Sequence, residues 1–285
     1  MGGDVSGKAI IPIVEAPNGT FTCTLAGRPR VMENEAEVKN AETLVRASGF
    51  YPFRTDQDEV DRLTADEAAR DRKFTELVLE CLERWMALAE ERLAGSGIRC
   101  FVSPGNDDHQ DIDAVIEASS FVEYPEGRVV ELTDGRATRE MISCGWSGPT
   151  PFDTPRECSE EELAARIEAM ASRLRSPETA IFNLHNPPFN SRLDVAPALS
   201  SDLQVQSEGG QPRMVPVGST AVRGAIERYG PRLALHGHIH ESRGEAKIGV
   251  TTCINPGSEY GEGILRGAIV DFKKDKLKNV QLISG

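Results

Sequence analysis

Leu233-Ala234-Leu235-His236-Gly237-His238-Ile239-His240 is the stretch on which the reading of the chain turns. Three of the five histidines stand here at alternate positions, directly behind a short apolar run. Side chains two apart in an extended segment point the same way, so His238 and His240 are expected to face one common point. Neutral imidazole is the commonest protein ligand for borderline divalent metals. The chain has 26 Gly and 5 His in 285 residues. Chance then supplies only about 0.008 Gly-His-x-His strings. The competing reading is a strand end with solvated histidines, and the remainder of the chain decides between them.

Composition narrows the function classes. Apolar residues make up 39% and charged residues 27% of the chain, as in a globular protein with a substantial core. The 32 basic against 45 acidic residues leave a net charge of −13. That balance repels a long nucleic-acid backbone, so no duplex-binding surface is expected. A small phosphorylated substrate stays open, because bound divalent cations reverse the local field. Six scattered cysteines without a CxxC pair read as reduced, packed thiols of a cytoplasmic protein. With neither a signal peptide nor an apolar run approaching 18 residues, no membrane association is expected.

Working outward, Thr179 to Leu184 is a buried-type strand ended by His185-Asn186-Pro187-Pro188. Ile98 to Ser103 is another, ended by Pro104-Gly105-Asn106-Asp107-Asp108-His109. Asp4 follows Gly2-Gly3. Arg128 to Thr133 and Glu140 to Trp146 read as strands joined through Asp134-Gly135. Val250 to Ile254, Leu265 to Phe272 and Leu277 to Ile283 close the chain as strands. Helices are expected over Glu35 to Ala47, over Thr64 to Leu93 with a Thr64/Glu67 capping box, after the Ser159/Glu162 box, and over Ser219 to Tyr229. Gly49 to Asp61 reads as loop, and 189–217 as a long loop of the kind that carries function. Alternating strands and helices followed by strands imply layered α/β with a mixed sheet.

Four sites thus share one design, a short strand followed by a turn bearing a metal-type side chain. They are Asp4, Asn106, His185, and His238 with His240. Open α/β sheets gather such groups at the carboxyl ends of their strands. Singly, Gly-Asp and Pro-Gly-Asn-Asp are ordinary turn sequences. Their order and joint occurrence carry the case.

In that order the chain resembles the calcineurin-like metallophosphoesterases, whose motifs run D-x-H, G-D, G-N-H-[DE], a lone His, and G-H-x-H. Gly3-Asp4, Gly105-Asn106, His185 and Gly237-His238-Ile239-His240 match the last four. The resemblance is strongest to the Icc-type predicted phosphoesterases, in which a G-N-D-D form of the third motif also occurs. Gly3-Asp4-Val5-Ser6-Gly7-Lys8, Asn255-Pro256-Gly257-Ser258 and the Trp146 to Glu157 loop agree as well. The resemblance implies a single domain over 1–285 with a four-layer αββα sandwich and mixed sheets. It also implies two divalent metal ions: Asp4 bridges them, Asn106, His185 and His238 complete one, and His240 serves the other. The His, Asn and Asp mix suits Mn, Fe or Zn.

Two departures shape the expectations. Nothing upstream of Gly3-Asp4 supplies the D-x-H strand, so the reading expects an N-terminally truncated form with its first strand missing. The stretch near 30–95 is taken as a helical insertion. The third motif has Asp107 where the family more often has His, leaving Asp107, or His109 two residues on, for the acid role. A surface loop histidine is an equal reading of His109. Lys8 and Arg192 are placed to reach phosphate oxygens, or to serve as plain surface charge. The expected activity is hydrolysis of a small phosphate ester by a two-metal-activated hydroxide. A non-catalytic scaffold of the same fold is the alternative, and a homo-oligomer is compatible with either.

Overall fold

The computed structural model describes residues 2–133 and 137–285, so the expected Asp134-Gly135 turn lies outside the described residues. The first part of the chain builds its own sheet. Strands β1 (Ile10–Glu15), β2 (Phe21–Leu25) and β3 (Arg28–Met32) precede helix α1 (Glu35–Ala47), and β4 (Tyr51–Thr55) follows it. Their order is β3-β2-β1-β4, with β4 parallel to β1. The stretch near 30–95 is therefore not purely helical, and Gly49 to Asp61 is not loop. Buried Tyr51 and Phe53 alternate with Pro52 and Arg54, a period-2 pattern that Pro52 disguises. Proline is tolerated there because β4 is an edge strand.

Helices α2 (Gln57–Ala65) and α3 (Glu67–Leu93) come next. The expected Thr64 cap is corrected. Asp66 caps α3 by accepting from Ala69 N–H at 3.0 Å, while Thr64 lies in the last turn of α2 and bonds the Val60 carbonyl at 2.8 Å. The Ser159/Glu162 capping box does form.

The main sheet takes its strands from the rest of the chain. Short β5 (Cys100–Phe101), helix α4 (Ile112–Glu117) and β6 (Val122–Glu123) lead to β7 (Val129–Thr133) and β8 (Thr138–Cys144). Helix α5 (Glu160–Ala171) then precedes β9 (Ile181–Leu184). Within the long 186–217 connection, β10 (Val195–Pro197) pairs with β13 (Met214–Pro216), and between them β11 (Ser207–Glu208) pairs with β12 (Gln211–Pro212). Helix α6 (Thr220–Tyr229), β14 (Leu233–Leu235), β15 (Gly244–Ile248) and β16 (Thr251–Asn255) follow, and the β17 (Arg266–Lys273)–β18 (Lys276–Ser284) hairpin ends the chain.

Six of these strands form one sheet in the order β15-β16-β14-β9-β8-β7. Its inner four run parallel, and its two edge strands run antiparallel to their neighbours. Parallel strands are covered on both faces, and alternate side chains show it here. Ile142, Phe182 and Ala234 pack against Leu163 and Ile167 of α5 and Ile226 of α6. Their neighbours Met141, Ile181 and Leu233 face Phe101 and the hairpin residues Val270, Phe272 and Leu282. Beyond β5 and β6, Val102 and Val122 share a cluster with Leu77, Leu82 and Ile116 of α3 and α4. The chain is thus mixed α/β with several sheets. Among the described residues, no helix is long and apolar enough to cross a membrane.

One buried acid makes the fold pH-sensitive. Partly buried Glu126 accepts from Gly145 N–H at 2.8 Å. Burial pushes its carboxyl up to about 7 from the ordinary 4.5, against the lowering pull of Gly145 N–H and Arg156. The folded state therefore keeps a proton that the unfolded state gives up between those values, so stability falls as pH rises through that window. Urea unfolding of Glu126→Gln should lack this fall. It should gain about 3 kcal/mol on the wild type between pH 4.5 and 8; a constant difference would contradict the assignment.

Candidate functional site

The ends of several parallel strands meet at one place. Gly2 bridges to Ser103 in parallel fashion, which brings the 2–8 turn beside the 104–109 turn that follows β5. Fully buried Asp108 holds the two turns together. Its carboxylate accepts from Val5 N–H at 3.0 Å, Ser6 N–H at 2.8 Å and Gly105 N–H at 2.8 Å, and also from the Ser6 hydroxyl. A Cβ on Gly105 would lie 2.2 Å from Asp4 Oδ1 and 2.8 Å from His185 Cε1. Only glycine allows the backbone to approach so closely.

Asn106 is the meeting point. Its Oδ1 lies 2.9 Å from His185 Nε2 and 2.7 Å from His238 Nδ1. Its amide Nδ2 donates to Thr154 Oγ1 at 2.8 Å and to Asp107 Oδ1 at 3.1 Å. Thr154 Oγ1 in turn donates to Glu157 Oε1 at 2.6 Å, so its lone pairs are free to accept from the amide. That polarity fixes which end of the Asn106 amide faces the imidazoles. Asp4 completes the group, with Oδ1 3.5 Å from His185 Nε2 and accepting from Asp107 N–H at 3.0 Å. The rings of His185 and His238 meet edge to face at 5.2 Å.

The motif that opens the reading is not extended. β14 ends at Leu235, and His238 has φ 63°, left-handed for a residue with a Cβ. The expectation that His238 and His240 point alike as strand neighbours is therefore corrected. Their loop is held by buried Asn255, whose Nδ2 donates to the Ile239 carbonyl at 2.8 Å and the Gly237 carbonyl at 3.3 Å. The motif's first histidine is structural. His236 Nδ1 faces the Leu184 carbonyl at 2.8 Å and the Asn186 carbonyl at 3.2 Å, and burial pushes its pKa down to about 4.

Electrostatics split the three site groups into an ion pair and a neutral ring. Burial pushes the Asp4 carboxyl up, but the charge and hydrogen bond of His185, the Asp107 N–H and the His238 ring together outweigh it and hold Asp4 well below the ordinary carboxylate range. Burial likewise pushes His185 down, and the carboxylates of Asp4, Asp108 and Asp107 together more than offset it. His238 is pushed down to about 3 by burial and by the charge on His185.

The remaining candidates divide. His240 and Asp107 line one cavity of about 860 Å³ with Asp4, Asn106 and His238. Lys8 pairs with Asp107. Burial pushes the Lys8 ammonium down, and Asp107 holds it above its ordinary value. His109 instead points outward, mostly exposed, 3.1 Å from Asp111, and Arg192 lines a different cleft with Arg223 and Lys247. Asp108 and Thr154 were not legible as site residues, because a turn sequence does not say which distant N–H groups its carboxylate meets.

Among the described residues, no three His, Cys, Asp or Glu side chains converge closely enough to hold a metal by themselves. The amide oxygen changes that count, since both imidazoles converge on it. Donors bound to one Zn or Mn ion at about 2.0–2.2 Å lie about 3–3.4 Å from one another. The donor separations here run from 2.7 Å to 3.5 Å. Those three contacts, Asn106 with His185 and His238 and Asp4 with His185, lie in or near that range, and the carboxylate, amide and imidazole donors are of the types a divalent ion takes.

No family model matches the chain. An uncharacterized protein of Methanocaldococcus jannaschii, MJ1162, is 31% identical over 156 residues, which is 54% of this chain and 61% of that protein. The chain thus spans about three fifths of that relative's length. One crystal structure aligns over 97% of this chain and 98% of its own, at a TM-score of 0.48 and 15% identity. The Thermus thermophilus protein TT1561 aligns over 73% of this chain and 79% of its own, at 0.43 and 14%.

The Asp108 anchor is directly testable. Asp108→Asn leaves buried N–H groups facing an amide in place of a carboxylate, and should cost about 2–3 kcal/mol in urea unfolding. Asp107→Asn disturbs a partly exposed ion pair and should cost under about 1 kcal/mol. Equal effects at the two positions would contradict the anchoring role.

Proposed function

We propose that the protein is a divalent-metal-dependent phosphoesterase acting on a small phosphate ester. The observation that carries this reading is the convergence of two imidazoles on Asn106 Oδ1, beside an ionised, partly buried Asp4. Asp4, Asn106, His185 and His238 would hold one ion; Asp4 and His240 are the donors this chain offers to a second. A divalent ion held there supplies Lewis acidity, lowering the pKa of water and neutralising phosphoryl charge.

The chain's own residues do the remainder. Ionised Asp4 gives the site the negative charge that a cation requires, and His238 is already neutral, as a ligand must be. His185 must give up the proton it shares with Asp4, so metal affinity should rise with pH. Thr154 and Glu157 keep the Asn106 oxygen aimed inward. Lys8, paired with the cavity residue Asp107, is a cation available to a phosphoryl oxygen. Asp107 lines the cavity and is the better placed of the two acid candidates, while His109 faces solvent. The four-layer metallophosphoesterase sandwich belongs to this same reading. It is supported by the burial of both faces of the main sheet, under helices on one side and strands on the other.

Bis-p-nitrophenyl phosphate with added Mn tests the proposal. His185→Ala and His238→Ala should each lower kcat/KM by more than about 100-fold, and activity indifferent to both would refute it. Thr154→Val should weaken Mn binding about 10–100-fold by calorimetry, while Thr154→Ser stays near the wild type. Full-strength binding in the valine variant would remove Thr154 from the role given to it. A protein that binds no divalent metal would instead be the non-catalytic scaffold.

A further inference from the structure

Resting on that reading, we infer that the site takes phosphate esters of large, mostly apolar alcohols. The 860 Å³ cavity has apolar as well as polar lining. Asp4, Asn106 and His238 line it together with two separate segments, which supply its apolar walls. One wall carries Pro149, Pro151 and Phe152; the other carries Leu199, Val205 and Val217. A phosphoryl group alone leaves most of this volume empty, since cavities of roughly 300–1,000 Å³ enclose most of a drug-sized ligand.

Three of the wall side chains are far more exposed than apolar groups normally are, Phe152 at 61%, Val205 at 52% and Val217 at 42%. Exposed apolar groups gathered in one concavity mark a ligand surface. Both walls are also fixed before any ligand arrives. Glu157 accepts from Thr150 N–H at 2.8 Å and Thr154 N–H at 2.9 Å, and Phe152 N–H donates to Thr150 Oγ1 at 3.1 Å. The second wall is the β10–β13 ladder, continued by Ala198 N–H to the Arg213 carbonyl at 2.7 Å.

Arg213 and Gln206 on that second wall are tied to it by hydrogen bonds. Arg213 Nη1 donates to Gln206 Oε1 at 3.2 Å, and Gln206 Nε2 donates to the Leu199 carbonyl at 3.1 Å. An apolar group can therefore lie beside the Gln206 amide, whose oxygen and nitrogen both have partners. Glu157 connects the two halves of the site, since it pins the Phe152 loop and also orders Thr154 against Asn106.

The test compares ethyl phosphate with 2-(2-naphthyl)ethyl phosphate in Mn-loaded protein, because their alkyl leaving groups are nearly equal in acidity. The KM of the naphthyl ester should lie about 30-fold or more below that of the ethyl ester. In Phe152→Ala/Val205→Ala that ratio should shrink at least about fivefold. Equal KM values for the two esters in the wild type would overturn the inference while leaving the phosphoesterase reading intact. Binding of 2-(2-naphthyl)ethanol, followed by its fluorescence, reads the cavity without hydrolysis. Saturable binding that the double variant loses supports the apolar site even if neither ester is cleaved, an outcome that would sink the phosphoesterase reading alone. Absence of saturable binding overturns the inference. So does sedimentation showing a wild-type dimer that the double variant dissolves, since the walls would then be a contact between copies.

Discussion

A single amide oxygen organises the site. Asn106 Oδ1 draws in His185 from the end of β9 and His238 from the loop after β14, each to within hydrogen-bond distance. These residues are 79 and 132 positions away in the chain, so the contact exists only because the strands run parallel and end together. An amide has two chemically opposite ends, and a reversed Asn106 would present N–H groups to two ring nitrogens. Thr154, committed as a donor to Glu157, accepts the Asn106 NH₂ and removes that alternative. The orientation of one side chain is thus set through two residues that never touch the histidines.

The backbone around this oxygen is correspondingly constrained. Gly105 leaves room for the Asp4 carboxylate where any side chain would collide, and His238 adopts a left-handed φ that a non-glycine residue reaches only at a cost of order 1–3 kcal/mol. Asn255 and Asp108 offset that cost with bonds to loop backbone groups. Asp4 and His185 form a partly buried ion pair, and His238 beside them stays neutral. On the proposed reading, a cation entering this group would meet one carboxylate and compete with a proton on His185.

How much of this was legible in the sequence follows from where each signal lives. Gly-His-x-His, the lone His before Pro-Pro and the Ser159/Glu162 box are local patterns, and their residues sit at strand ends or a helix start. The strand Tyr51–Thr55 was not legible, because Pro52 breaks the pattern and only pairing with Ile10–Val14 makes it a strand. The same limit applied to Thr64, whose capping signature belongs to Asp66 once α2 takes Thr64 into its last turn. His236 carries no metal signal of its own in the sequence, and two carbonyls from the neighbouring strand end hold it. Arg192 looked available to phosphate, and the 189–194 turn aims it into another cleft. Long-range placement decides such cases, and sequence spacing does not encode it.

The central claim is that Asp4, Asn106, His185 and His238 form one metal-binding donor set. An anomalous difference map from a crystal soaked in Mn tests it most directly. The account expects a peak bounded by Asn106 Oδ1, His185 Nε2, His238 Nδ1 and an Asp4 oxygen. A map without that peak, with both imidazole nitrogens still bonded to Asn106 Oδ1, would contradict it.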